Sequence, residues 1–120
     1  MGLAEELQGL RVCIDTAPFI YFIEKNIKYH GLLRPVFAAI ESGKILAMTS
    51  TITLLEVLVL PFKIKNEALV KRYRELLLYA DGLTTYEILH EVSDMASELR
   101  ARYSIRTPDA IQWCGRFFDQ

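Results

Sequence analysis

The stretch Arg11-Val12-Cys13-Ile14-Asp15-Thr16-Ala17-Pro18-Phe19-Ile20-Tyr21 carries the clearest structural signal in the chain. Three β-type apolar residues, Val12, Cys13 and Ile14, end abruptly in the carboxylate of Asp15. Pro18 then fixes φ for a helix start, and Phe19, Ile20, Phe22 and Ile23 supply its apolar face. The reading is strand, acidic tip, helix. In an open α/β sheet, ligands collect where the carboxyl ends of parallel strands meet the helices that follow, so Asp15 stands where chemistry is usually done.

Before this stretch, Met1 to Leu10 is a polar lead-in without a pattern that predicts its order. After it, the helix is expected to run from Pro18 to Lys28 and end in a Lys/Asn/His/Gly cluster. Leu32 to Ser42 has helical apolar spacing, and Gly43 suits a C-terminal cap. Ile45 to Thr49 is an unbroken apolar run, as a strand buried on both faces should read, and Ser50-Thr51-Ile52-Thr53 offers several helix N-caps in a row. The helix that follows is expected to stop at Pro61. A further amphipathic helix covers Glu67 to Tyr79, Asp81-Gly82 turns the chain, and Leu83 to Tyr86 reads as the third strand. Ile88 to Arg102 is helical, and Thr107-Pro108-Asp109 opens a last helix. Strands alternating with helices predict the α/β class, with a parallel sheet covered by helices on both faces.

The 120 residues, 52% of them hydrophobic, suffice for one core and not two, so residues 1–120 are read as a single domain. Fourteen basic residues against fifteen acidic ones create no global field, and a nucleic-acid partner would have to be held by a local patch. Cys13 and Cys114 lack metal-ligand spacing and no signal peptide precedes them, which predicts buried thiols and a cytoplasmic protein. No apolar run reaches membrane-spanning length, so no membrane partner is expected. No Gly-rich phosphate loop, G-x-S-x-G or C-x-x-C motif is present.

Glu56 is the only charge between Thr51 and Leu60. A carboxylate in so apolar a helix needs a partner, because uncompensated desolvation of an ion is costly. One reading is a capping box, since Thr53-Leu54-Leu55-Glu56 has the required spacing. Asp15 also reads as an N-cap, and Asp109 as a first-turn acid placed for the helix dipole. The alternative reading joins them. All three acids fall at the starts of helices that follow strands or loops of one sheet, and carboxylates meeting there would repel one another unless a divalent cation neutralised them. Oxygen ligands alone favour Mg²⁺ or Mn²⁺ over Zn²⁺. Such an ion can lower the pKa of a water and supply the nucleophile for attack on a phosphodiester.

Three segments carry a family resemblance: Ile14-Asp15-Thr16-Ala17-Pro18-Phe19-Ile20-Tyr21, Thr49-Ser50-Thr51-Ile52-Thr53-Leu54-Leu55-Glu56-Val57, and Leu99-Arg100-Ala101-Arg102-Tyr103-Ser104-Ile105-Arg106-Thr107-Pro108-Asp109-Ala110-Ile111-Gln112. Through them the chain resembles the PIN-domain family, in particular the toxin ribonucleases of VapBC-type toxin–antitoxin pairs. The resemblance implies a PIN-like three-layer α/β fold and Mg²⁺- or Mn²⁺-dependent endoribonuclease chemistry. It further implies Asp15, Glu56 and Asp109 as metal-binding, catalytic carboxylates, Thr16 as a hydroxyl beside the metal, an RNA substrate, and an antitoxin that masks the site. Arg100, Arg102 and Arg106, close in sequence to Asp109, are candidate phosphate contacts. Lys63, Lys65, Lys71, Arg72 and Arg74 read rather as a solvated face.

The sequence also departs from the family. Its members continue into a further strand with a Thr-Asn-Asp-like motif whose acid completes the metal site, whereas this sequence stops at Gln120. Asp119 is no substitute, because ten helical residues separate it from Asp109 by about 15 Å. The expectation is a C-terminally truncated domain with its last strand missing, and with strand one as an exposed edge unless a homodimer partner, another protein or the lead-in covers it. Two functions therefore stay open, the ribonuclease and a catalytically inactive remnant that retains partner binding. A phosphatase or receiver-type α/β domain would need a second acid close to Asp15, and residues 16 to 23 contain none.

Overall fold

The computed structural model describes residues 2–103. Their order is α1 (Leu3–Leu7), β1 (Arg11–Cys13), α2 (Thr16–Ile23), α3 (His30–Glu41), β2 (Leu46–Ser50), α4 (Thr51–Lys63), α5 (Glu67–Tyr79), β3 (Leu83–Tyr86) and α6 (His90–Tyr103). The strands form one sheet in the order β1-β2-β3, parallel throughout. Arg11 lies opposite Leu46, Cys13 opposite Met48, and Ser50 opposite Tyr86. The parallel pairing is what the alternating pattern predicts, and the two helical crossovers, α2 with α3 and α4 with α5, step in the same direction across the sheet.

Helices α2 to α5 cover one face of the sheet. Phe19, Ile23, Val36, Phe37, Ile40, Val57, Tyr73 and Leu77 meet Ile14, Ile45 and Ala47 in one continuous cluster, with Leu83 packed against it. Phe22 stacks on Phe37 with ring centroids 4.2 Å apart. Successive strand side chains alternate between faces, so Met48 and Ser50 point away from this cluster, yet both are buried. Both faces of β2 are therefore covered, which is what its unbroken apolar run implies. The lead-in forms a short helix, α1, whose Leu3, Ala4 and Leu7 pack onto the main cluster. A second, smaller cluster holds α6: Val92 and Ala96 are buried against Ile52, Ile88, Met95 and Leu99.

Helix ends show where local chemistry differs from the sequence reading. Gly43 takes φ 84 after α3, with Lys44 N–H donating to Ala39 O at 2.9 Å and Gly43 N–H to Ile40 O at 3.1 Å. This is the left-handed cap that a glycine advertises. The same motif closes α2 and α4 through lysines: Lys25 has φ 52 and Lys65 has φ 55. Asn26 N–H reaches Tyr21 O and Asn66 N–H reaches Pro61 O, each at 2.9 Å. Thus α2 ends at Ile23 rather than Lys28. Helix α4 does not stop at Pro61 but runs through it to Lys63. Pro61 lies in the last turn, where its missing N–H removes one hydrogen bond and its buried ring packs in return.

Gly82 has a different constraint. It has φ 80, and a Cβ placed there would lie 2.0 Å from the Ile40 carbonyl oxygen. Its own carbonyl accepts from Ala47 N–H at 2.9 Å, locking the β3 entrance against β2. Among the described residues β1 is the outer strand of the sheet, and Cys13, expected to be buried, is only partly so and in no disulfide. No helix among them is long and apolar enough to cross a membrane.

Candidate active site

Asp15 directly follows β1 and is the N-cap of α2. Its backbone is extended, and its Oδ1 accepts from Thr16 N–H at 2.8 Å. The capping reading of Asp15 is thus correct, and it leaves the carboxylate exposed at the carboxyl end of the strand.

Glu56 arrives from the other crossover. The N-cap of α4 is Ser50, which makes Thr53 the third residue of that helix and removes the proposed Thr53–Glu56 capping box. Instead Glu56 Oε2 accepts from the Thr16 hydroxyl at 2.5 Å, a contact across forty residues of sequence. That distance lies at the short end for a hydroxyl donating to an ionised acceptor. Thr16 Oγ1 also lies 3.4 Å from Asp15 Oδ1. One hydroxyl therefore sits between two carboxylates, with the shorter contact to Glu56. Oδ2 of Asp15 and Oε1 of Glu56 have no hydrogen-bond partner among the described residues.

The site is all oxygen: two carboxylates and a hydroxyl. Such a donor set fits a hard divalent cation that keeps several waters, and it offers nothing soft for Zn²⁺. Among the described residues no third His, Cys, Asp or Glu joins the two acids in a metal-sized group. Asp109 and Arg106 lie outside the described residues. Arg100 is exposed in the last turn of α6, the helix whose apolar face packs on Ile52 in the first turn of α4. A cleft of about 810 Å³, lined by Phe22, His30, Phe37, Leu76 and Leu83 among others, does not include the acids; it opens where β3 begins, at the opposite end of the strands.

The sequence reading groups Ser50 with Thr51 and Thr53 as alternative caps. Its place at the carboxyl end of β2 was the signal available to separate it from them. Ser50 is 1% exposed, and its Oγ has no hydrogen-bond partner among the described residues.

Comparison with known proteins agrees with this architecture. The solved structure of Mycobacterium tuberculosis VapC20, described as a sarcin-ricin loop cleaving toxin, superimposes with a TM-score of 0.72 at 15% sequence identity, covering 90% of this chain and 82% of that one. At that identity the likeness is one of fold. No curated protein matches the sequence significantly. The family model for the PIN domain matches residues 12–113, which take in β2, β3, all but the first residue of β1 and the Asp15–Thr16–Glu56 cluster, and the chain belongs to the PIN-domain family.

Proposed function

We propose that this chain is a divalent-metal-dependent endoribonuclease of the toxin–antitoxin type. The observation that carries the reading is the Thr16–Glu56 hydrogen bond, which draws two carboxylates from separate crossovers to one end of the sheet. Glu56 makes its side-chain hydrogen bond outside its own helix. Here it reaches out of α4 to the tip of β1, where an α/β sheet places its ligands.

The roles follow from the chemistry of each group. Asp15 and Glu56, with Asp109 by motif position, would hold Mg²⁺ or Mn²⁺. Thr16 fixes the Glu56 carboxylate through Oε2 and leaves Oε1 for a ligand, while its N–H fixes Asp15 through Oδ1 and leaves Oδ2. Bound there, the cation supplies a water of lowered pKa and neutralises charge developing on a phosphodiester. Arg100 and Arg106 would contact the RNA backbone, where guanidinium groups position without reading bases. A cognate antitoxin that covers the acids would restrain the activity.

The test is cleavage of structured RNAs, a sarcin-ricin loop hairpin among them, by purified protein with Mg²⁺ or Mn²⁺. EDTA and Asp15→Asn serve as controls. Metal-dependent cleavage lost in Asp15→Asn, together with a metal-induced rise in melting temperature lost in the same variant, is the expected result. A well-folded protein that neither cleaves nor responds to metal would overturn the nuclease reading and leave partner binding as the function.

A further inference from the structure

Helix α4 is apolar on nearly every side. Its thirteen residues carry two charges, Glu56 and Lys63, and Glu56 is engaged by the Thr16 hydroxyl. A helix of that composition is normally buried all round. Here one face is open: Leu55, Val59 and Phe62 are 60%, 53% and 53% exposed, in a row that begins at Ile52, itself partly buried where α6 meets it. The spacing of Ile52, Leu55, Val59 and Phe62 is that of the a and d positions of a coiled-coil seam. It also reads the same in both directions about Val57. An isologous contact needs such a palindrome, because the row turned end for end then meets a copy of itself, Leu55 level with the partner subunit's Val59 and Ile52 level with the partner subunit's Phe62.

Charge selects the direction. The C-terminal end of α4 is cationic, with Lys63 in its last turn and Lys65 just beyond, both exposed and neither in an ion pair among the described residues. The N-terminal end adjoins the Asp15–Glu56 pair. Parallel packing would set like charges and like dipole poles together, whereas antiparallel packing sets the cations of each copy beside the acids of the other. In the antiparallel register about Val57, the partner subunit's Lys63 is level with Thr51, five residues and about 7.5 Å along the axis from Glu56. Glu56 and Lys63 are seven residues apart, close to two full turns, so they share one flank of the helix. A two-fold axis lying across the seam keeps that flank on the same side in both copies.

We propose that two copies of this chain pack their α4 helices antiparallel about Val57, and that each lends Lys63 to the acid pair of the other, as a cation that positions an RNA backbone phosphate there. The role toward RNA rests on the nuclease reading; the seam does not.

Sedimentation equilibrium tests the seam, with circular dichroism to verify the fold of each variant. Wild-type protein should be a dimer. Leu55→Glu and Val59→Lys each place a charge in the seam at an exposed position and should give folded monomers. The double variant sets each new carboxylate against a new ammonium and should dimerise again. A parallel seam would oppose position 55 to 55 and 59 to 59, and the double variant would stay monomeric. Monomeric wild-type protein, dimeric single variants, or a folded double variant that stays monomeric would overturn the antiparallel seam. Binding of a 2′-O-methylated oligoribonucleotide in Mg²⁺ tests the lysine. Lys63→Ala should weaken binding several-fold while leaving the dimer intact, Leu55→Glu should weaken it by the same factor, and Lys63→Ala added to Leu55→Glu should cost nothing more. A full further loss in the monomer would show that Lys63 acts within its own chain and would overturn the exchange. A wild-type dimer that binds no oligonucleotide would overturn the role of the lysine together with the nuclease reading, while the sedimentation result decides the seam on its own.

Discussion

Replacing Thr16 with Val removes one hydroxyl and nearly nothing else, and so isolates the contact that unites the two acids. The hydroxyl donates to a partly buried carboxylate at 2.5 Å. Hydrogen bonds to charged groups contribute roughly 1.5–3 kcal/mol, and partial solvent access puts this one at the lower bound, about 1.5 kcal/mol. For 120 residues, an unfolding entropy of about 2.1 cal/mol/K per residue converts this to a fall in melting temperature of about 6 °C. The clean assay is a double-mutant cycle with Glu56→Ala, by urea unfolding in EDTA. If the contact is as described, Thr16→Val costs little in the Glu56→Ala background and the coupling is about 1 kcal/mol or more. Thr16→Ser, which keeps the hydroxyl, should retain most of it. Additive effects, with a coupling below about 0.3 kcal/mol, would show that the two crossovers are not joined through this bond and would remove the main support for a shared site.

Three further outcomes follow from the fold. Gly82→Ala should destabilise by at least about 2 kcal/mol, since it combines a left-handed backbone with a Cβ driven into the Ile40 carbonyl, and thermal melts will read it directly. Lys65→Gly should raise stability by about 0.5–1 kcal/mol by relieving the left-handed cap of α4, whereas Lys65→Ala should not. Burial and the Glu24 carboxylate to which it donates push the Tyr73 phenol well above its ordinary value of 10.0. A raised folded-state value means that this contribution is complete below pH 10 and is lost as pH climbs above it. Wild-type stability should therefore fall at strongly alkaline pH, with a weaker dependence in Tyr73→Phe.

Which features could be read beforehand depended on whether a residue's type reveals its backbone. Helix α5 and strand β3 are placed to the residue, because amphipathic spacing and the Asp81-Gly82 turn leave no competing reading. The ends of α2 and α4 were missed first for a shared reason. Their left-handed caps are lysines, which give no sign of φ > 0, whereas Gly43 correctly marked the end of α3. At Pro61 the rule that proline breaks helices lost to position, since in a last turn only one bond is forfeited. Asp15 and Glu56 were legible as candidates through their isolation in apolar sequence. What joins them was not, because the spacing Thr53 to Glu56 imitates a capping box, whereas Ser50 is the N-cap and Glu56 bonds to Thr16 instead. Ser50 itself was hidden among three equally plausible caps.

The separation of the apolar interior into a large cluster and a small one has consequences in time as well as in space. Among the described residues, helix α6 buries Val92 and Ala96, and the helix it packs against is α4, at Ile52. A helix so held is a cooperative unit of its own, able to open while the sheet stays closed, and its amides should exchange with deuterium far sooner than those of α3 or β2. Each opening uncovers the start of α4, and the chain that continues toward Asp109 leaves directly from the end of α6. Assembly of the proposed catalytic end would thus have its own equilibrium constant, which substitutions at Val92 or Ala96 would shift without touching a single carboxylate.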